Sequence, residues 1–293
     1  MALACVWFFW GTTYLGIRIA VRTFSPAMLM FLRYTASGGI LLIAMAIRGV
    51  KLPAGRELWL TAMWGVITIG CGNGALAYSE QWLPSGLAAL IVCVQPFWMV
   101  GIEALLPGGE RLHLPTVGGM LIGFSGVALL LAPALFGGGS EFAVDRAGLV
   151  SGFLILQFGV AMWSVGSLGQ KRLRRKAHPI VSGAVQQLAA GLVLGVPALL
   201  DPRPNQWTQD GLLAVAYLSL FGGLVGYSAY IYTLDRMSLA LASVYNYVNP
   251  VVAVLLGALF LGEPLTPTVW IAMAIILLGV FLVKHASARV ARR

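Results

Sequence analysis

Leu87-Ala88-Ala89-Leu90-Ile91-Val92-Cys93-Val94-Gln95-Pro96 and Leu241-Ala242-Ser243-Val244-Tyr245-Asn246-Tyr247-Val248-Asn249-Pro250 are two apolar stretches that end on the same device, a carboxamide followed by a proline. They lie inside charge-free runs at 81–102 and 237–262. Six further charge-free runs occupy 58–79, 112–140, 147–170, 177–200, 211–234 and 264–283. Two more spans, 1–22 and 23–47, are apolar apart from Arg18, Arg22 and Arg33. About 20 apolar residues suffice to cross a bilayer as a helix, so the runs predict ten transmembrane helices. A β-barrel is excluded, because its strands would read as short alternating segments instead of continuous apolar runs.

The composition agrees. Of 293 residues, 59% are hydrophobic and 10% charged, against about 25% charged in an ordinary soluble domain. The spans leave only short connections, so there is no room for a soluble catalytic or DNA-binding domain. Residues 1–10 carry no basic n-region and are expected to begin helix 1. Cys5, Cys71 and Cys93 fall inside apolar spans without CxxC spacing, which gives neither a disulfide framework nor a metal site. No cofactor is called for.

The net charge of +9 is distributed unevenly. Fourteen of the 19 Lys and Arg lie on one side of the spans, among them Arg48, Lys51, Arg56, Lys171, Arg172, Arg236 and Lys284, against Arg18, Arg22, Arg146 and Arg203 on the other. The positive-inside rule then places both termini in the cytoplasm. The basic cluster at 171–176 has no interleaved aromatics and adjoins helix 6, so it reads as an orientation signal near anionic lipid and not as a nucleic-acid patch.

Sliding the chain against itself by 153 or 154 positions aligns Trp10 with Trp163, Pro26 with Pro179, Tyr78 with Tyr232, Gln95-Pro96 with Asn249-Pro250, and Glu110 with Glu263. The halves are 1–136 and 147–285, joined by a glycine-rich acidic linker at 137–146 and followed by a basic tail at 286–293. Five helices is an odd number, so the second half enters the membrane from the opposite side. The expected architecture is an all-α membrane protein of two inverted five-helix repeats, the pattern of alternating-access carriers.

Trp10-Gly11-Thr12-Thr13-Tyr14, the stretch 26–33, Gly72-Asn73-Gly74 followed by Glu80, Pro84-Ser85-Gly86-Leu87-Ala88-Ala89, and 245–261 ending in Gly262-Glu263 resemble the EamA family of the drug/metabolite transporter superfamily. The resemblance covers nearly the whole chain. It implies ten helices in two EamA repeats, a bacterial inner-membrane location, and export or exchange of small metabolites, often amino acids. By analogy with the family, helices 1, 3, 4, 6, 8 and 9 line the cavity.

Pro96 and Pro250 each remove a backbone hydrogen bond at matching depths and are expected to kink helices 4 and 9 beside a central site. Around them stand Gln95, Trp98, Tyr245 and Asn249. Trp10, Tyr14 and Arg18 share one face of helix 1, Trp163 takes the matching place in helix 6, helix 3 offers Asn73 and Tyr78, and helix 8 offers Tyr227 and Tyr230. These aromatic and polar groups can stack on and orient a small molecule. Interhelical hydrogen bonding uses the same residue types and stands beside that reading. Among the intramembrane charges, Glu80 pairs with Arg33 or Arg18, either to close an outer gate or as a permanent structural ion pair, or Arg33 receives a substrate carboxylate. Gly119, Gly123 and Gly126 form a small-residue step suited to packing or to a homodimer surface.

A membrane enzyme would need convergent catalytic groups, yet the spans hold no aspartate and no histidine pair. A channel would need a pore ringed by carbonyls or charges. The expected function is therefore a secondary carrier of a small metabolite, an amino acid or related compound, moved outward; the alternative is a drug or other metabolite exporter of the same fold.

Overall fold

The computed structural model describes residues 2–109, 112–136, 144–173, 177–236 and 245–290; side chains at 2–4, 134–135, 234–236, 245–247 and 286–290 are not described. These residues form helices joined by turns and short irregular segments, with no strand among them. The elements are α1 (Ala2–Ala20), α2 (Pro26–Ile47), α3 (Gly55–Gly65), a π-helical segment π1 (Val66–Asn73), α4 (Gly74–Ser79), α5 (Ser85–Val92), α6 (Gln95–Leu105), α7 (Leu114–Leu135), α8 (Arg146–Arg172), α9 (Pro179–Leu200), α10 (Gln209–Tyr217), a second π-helical segment π2 (Leu218–Tyr227), α11 (Ser228–Arg236), α12 (Tyr245–Leu261) and α13 (Pro267–Val290). Eight continuous stretches among the described residues are long and apolar enough to cross a membrane, and a shorter apolar helix runs over Val248–Leu261. Exposed Ile43, Leu121, Leu199, Phe260 and Phe281 give the outside the apolar surface that lipid requires.

Helix pairs α2–α9 and α7–α13 pack most extensively. A Cβ on Gly38 would lie 2.5 Å from the Leu188 backbone nitrogen, and one on Gly191 would lie 2.6 Å from that of Thr35. Gly38 and Gly191 are 153 residues apart, as are Thr35 and Leu188. Such distances are closed to any other residue, so these glycines set the separation of the two helices. The same holds at α7–α13, where a Cβ on Gly126 would meet the Ala272 carbonyl at 2.9 Å and one on Gly279 would meet that of Gly119 at 2.7 Å. The glycine step of α7 thus packs within the chain.

The two prolines act differently. Pro96 has no N–H to give the Val92 carbonyl, and the helix breaks there into α5 and α6, with Val94 N–H bonding Ile91 O at 3.4 Å and Phe97 N–H bonding Val94 O at 2.9 Å. Pro250 lies inside α12, which continues through it. The π-helical segments were not expected. Thr68 Oγ1 donates to the Trp64 carbonyl at 2.8 Å and Ser219 Oγ to the Val215 carbonyl at 2.7 Å, so in each a hydroxyl competes for the carbonyl four residues back, beside a run of glycines that tolerates the wider turn.

Connections gather at two ends of the bundle. At one, Ser25 N–H bonds Asn205 Oδ1 at 2.9 Å, Arg203 bonds Gln81, and Glu263 accepts from Ser85. At the other, Glu57 accepts from Ala177 N–H at 2.9 Å and Arg172 donates to the Pro107 carbonyl. The linker at 137–143 and the cluster at 174–176 lie outside the described residues.

Candidate functional site

A cavity opens between α1, α2, π1, α4, α5, α6, α8 and α12, with about 580 Å3 of space between the atoms, open solvent at its mouth included. Of the expected residues, Trp10, Tyr14, Asn73, Gln95, Trp163 and Asn249 line it, together with Arg33. In its wall the rings of Trp10 and Trp163 meet edge to face, centroids 5.5 Å apart. Tyr230 leans on Trp10 at 4.9 Å and on Trp163 at 5.8 Å.

The indoles are held crosswise. Trp10, from α1, donates its Nε1 hydrogen to the Gly222 carbonyl of π2 at 3.3 Å, and a Cβ on Gly226 of π2 would lie 2.6 Å from that Nε1. Trp163, from α8, lies against Gly72 of π1, where a Cβ would approach its Cβ to 3.2 Å. Each indole is therefore seated on a glycine from the other half of the chain. This is what the wide turns do: they bring bare backbone against the aromatic pair.

The other expected residues stand elsewhere. Tyr227 and Tyr230 are buried behind the indoles, with Tyr227 donating its hydroxyl hydrogen to Gln186 Oε1 at 2.6 Å and Tyr230 sharing one with Ser167 at 3.0 Å. Trp98 donates to Gln157 Oε1 at 2.8 Å outside the lining, and Tyr78 has Asp201 and Arg203 as its electrostatic neighbours. The side chain of Tyr245 lies outside the described residues. Sequence reasoning missed Thr13, Ile17, Gly72, Leu76, Val92, Leu156, Gly159 and Val160 as lining. Gly72 and Gly159 carry no polar group to mark them, and the aliphatic residues match every other buried helix face.

Among the described residues no ion pair joins the Glu80 side chain to Arg18 or Arg33. Arg18 Nη1 donates to the backbone carbonyl of Glu80. The Glu80 side chain is 0% exposed, and its carboxylate oxygens have no hydrogen-bond partner among the described residues. Arg33 is 2% exposed, with its Cζ 4.7 Å from the Tyr34 ring centroid; Tyr34 in turn accepts a hydrogen bond from Asn73 Nδ2. Glu263, unnoticed as a site residue, accepts from Ser85 N–H at 2.7 Å, Ser85 Oγ at 2.8 Å and Gly86 N–H at 2.8 Å, placing an anion on the N-terminus of α5. At the same end Asp201 pairs with Arg203 at 2.7 Å, and the hydrogen bonds from the Arg203 side chain and backbone pull its carboxyl down to about 2.

Described residues that are helical or in turns, with many apolar spans and an aromatic-lined cavity between them, define a multi-pass membrane protein. The chain belongs to the EamA-like transporter family, which it matches over residues 1–132 and 150–284. It is 35% identical to the uncharacterized inner membrane transporter YedA of Escherichia coli K12, over 96% of this chain and 89% of that one. A probable terminal-alkyne amino-acid exporter of Streptantibioticus cattleyicolor is 26% identical over 95% of this chain and 90% of that one. A solved crystal structure, 23% identical, superposes with a TM-score of 0.71 over 99% of this chain and 97% of its own, and shares the fold. The chain is thus a membrane transporter and not an enzyme.

Proposed function

We propose that the protein is a secondary carrier in the bacterial inner membrane that moves a small metabolite, an amino acid or related compound, outward by alternating access. Its ten spans form two inverted five-helix repeats, 1–136 and 147–285, joined by the linker at 137–146, with both termini cytoplasmic. The observation that carries this reading is the cavity at the meeting of the halves, where Trp10 and Trp163 touch each other and each rests on the other half's π segment. The close contacts of Gly38 with Leu188 and of Gly191 with Thr35, related by the same 153-residue offset, support the repeat. The two relatives' names support the location and the substrate class.

The test is counterflow in proteoliposomes with labelled amino acids, aromatic, thioether and small polar, beside the Trp163→Ala variant. Saturable exchange of one class, lost in the variant, is expected. No exchange by folded wild-type protein across the panel would discard the amino-acid assignment. The largely apolar lining of Ile17, Leu76, Val92, Leu156 and Val160 favours the second reading in that event, export of an apolar drug or another metabolite.

A further inference from the structure

Arg33 is the one charged residue lining the cavity among the described residues. Its Nε and Nη1 are buried and find no hydrogen-bond acceptor among those residues. The surroundings explain its position without neutralising it. Gly222 flanks the guanidinium: a Cβ on it would lie 2.5 Å from Nη2, so the glycine leaves the group its room. The Tyr34 ring covers one side. Glu80 is the acidic group whose field reaches Arg33, yet no ion pair of 4.0 Å or less joins them. Arg18 stands nearer Glu80, on its backbone carbonyl.

A guanidinium keeps its proton in a protein, and a buried charge without acceptors is expensive. An anion entering the cavity would supply the missing acceptors, and a planar carboxylate matches the donor fork. A single cation among aliphatic and aromatic walls suits one negative charge on a small apolar body, not a di-acid or a phosphate. We propose that Arg33 receives the carboxylate of the carried molecule, so that substrates of this cavity are small monocarboxylates whose apolar remainder lies beside Trp10 and Trp163. This rests on the carrier reading above and narrows it to a chemical class.

The test uses matched acids and amides: leucine with leucinamide, phenylalanine with phenylalaninamide, and 4-methylpentanoate with 4-methylpentanamide. Each is titrated into purified protein with melting temperature as the readout, and counterflow of labelled leucine and phenylalanine is measured in parallel. The wild type should bind at least one acid about tenfold or more tightly than its amide, as for a hydrogen bond to a charged group. Arg33→Lys should keep the preference and Arg33→Gln should erase it; where Arg33→Gln does not fold, the wild-type preference and the lysine variant decide. Equal binding of acid and amide in the wild type, no acid-dependent shift with any pair, or a preference that survives in Arg33→Gln overturns the proposal. Counterflow that proceeds alongside a surviving preference leaves the carrier standing without the anchor. Stabilisation by 4-methylpentanoate alone, lost in Arg33→Gln, keeps the anchor and discards the amino acids.

Discussion

The indoles of Trp10 and Trp163 stand 153 residues apart in the chain and meet edge to face at 5.5 Å, with planes at 85°. An aromatic pair of this geometry contributes about 0.5–1.5 kcal/mol beyond its burial, and here it also forms part of the cavity wall. Trp163→Ala should lower counterflow about tenfold or more, while Trp163→Phe should retain an intermediate rate. Equal rates in both variants would show that the ring is not what the substrate meets. Size-exclusion profiles establish that both variants fold.

The two glycine seats make graded demands. A methyl group on Gly226 would come within 2.6 Å of Trp10 Nε1 and within 2.9 Å of the Phe221 carbonyl, whereas one on Gly72 would stay 3.2 Å from Trp163. Gly226→Ala must move the indole or the backbone; Gly72→Ala needs only a small adjustment. Transport kinetics should therefore show the larger rise in KM for Gly226→Ala, and the opposite order would contradict the crosswise seating.

Glu263 holds the N-terminus of α5 through three hydrogen bonds. Replacing a capping acceptor by alanine destabilises a helix start by about 0.5–2 kcal/mol, and an anion facing the helix dipole adds to that. Glu263→Ala should lower the melting temperature by several degrees; Glu263→Gln, which keeps an acceptor but not the charge, should fall between. An unchanged melting temperature in both would mean the cap is not formed in the membrane.

Asp201 and Arg203 supply a pH prediction. The folded carboxyl titrates at about 2, below its ordinary 3.8, so whatever stability the pair contributes is present above about pH 4 and is lost as pH falls through 2. The melting temperatures of wild type and Asp201→Asn should differ by a constant amount from pH 5 to 8 and converge only at the acid extreme. A difference that stays constant down to pH 2 would place Arg203 away from the carboxylate.

The orientation can be read with single cysteines in a chain whose Cys5, Cys71 and Cys93 are replaced by alanine. A membrane-impermeant maleimide should label Arg203→Cys in intact cells and Lys51→Cys only after permeabilisation. The reverse pattern would invert the topology.

Much of this was legible in the sequence because a bilayer reduces folding to length, polarity and charge. The apolar runs pointed to the eight stretches that the described residues show as long and apolar enough to cross a membrane, and Trp10, Trp163, Gln95 and Asn249, which line the cavity, stood out by being polar or aromatic at matching depths. The π segments were not legible: whether Thr68 and Ser219 bond back to a carbonyl or outward to a neighbour depends on packing, which one chain's pattern does not encode. Trp98 and Tyr78 looked like lining because spacing fixes depth but not azimuth, and a short rotation about the helix axis carries a ring out of the cavity. Gly72 was quoted as part of a motif, yet its use as a seat for Trp163 follows only from the tertiary fold.

Seating each indole on the opposite half has a consequence for how the protein can be taken apart. A chain cut between residues 136 and 146 would yield two fragments, each with a tryptophan lacking its platform and a platform lacking its tryptophan. Neither piece owns a finished binding wall, so activity would return only when both are made in one cell and find each other, as with the two halves of a split reporter.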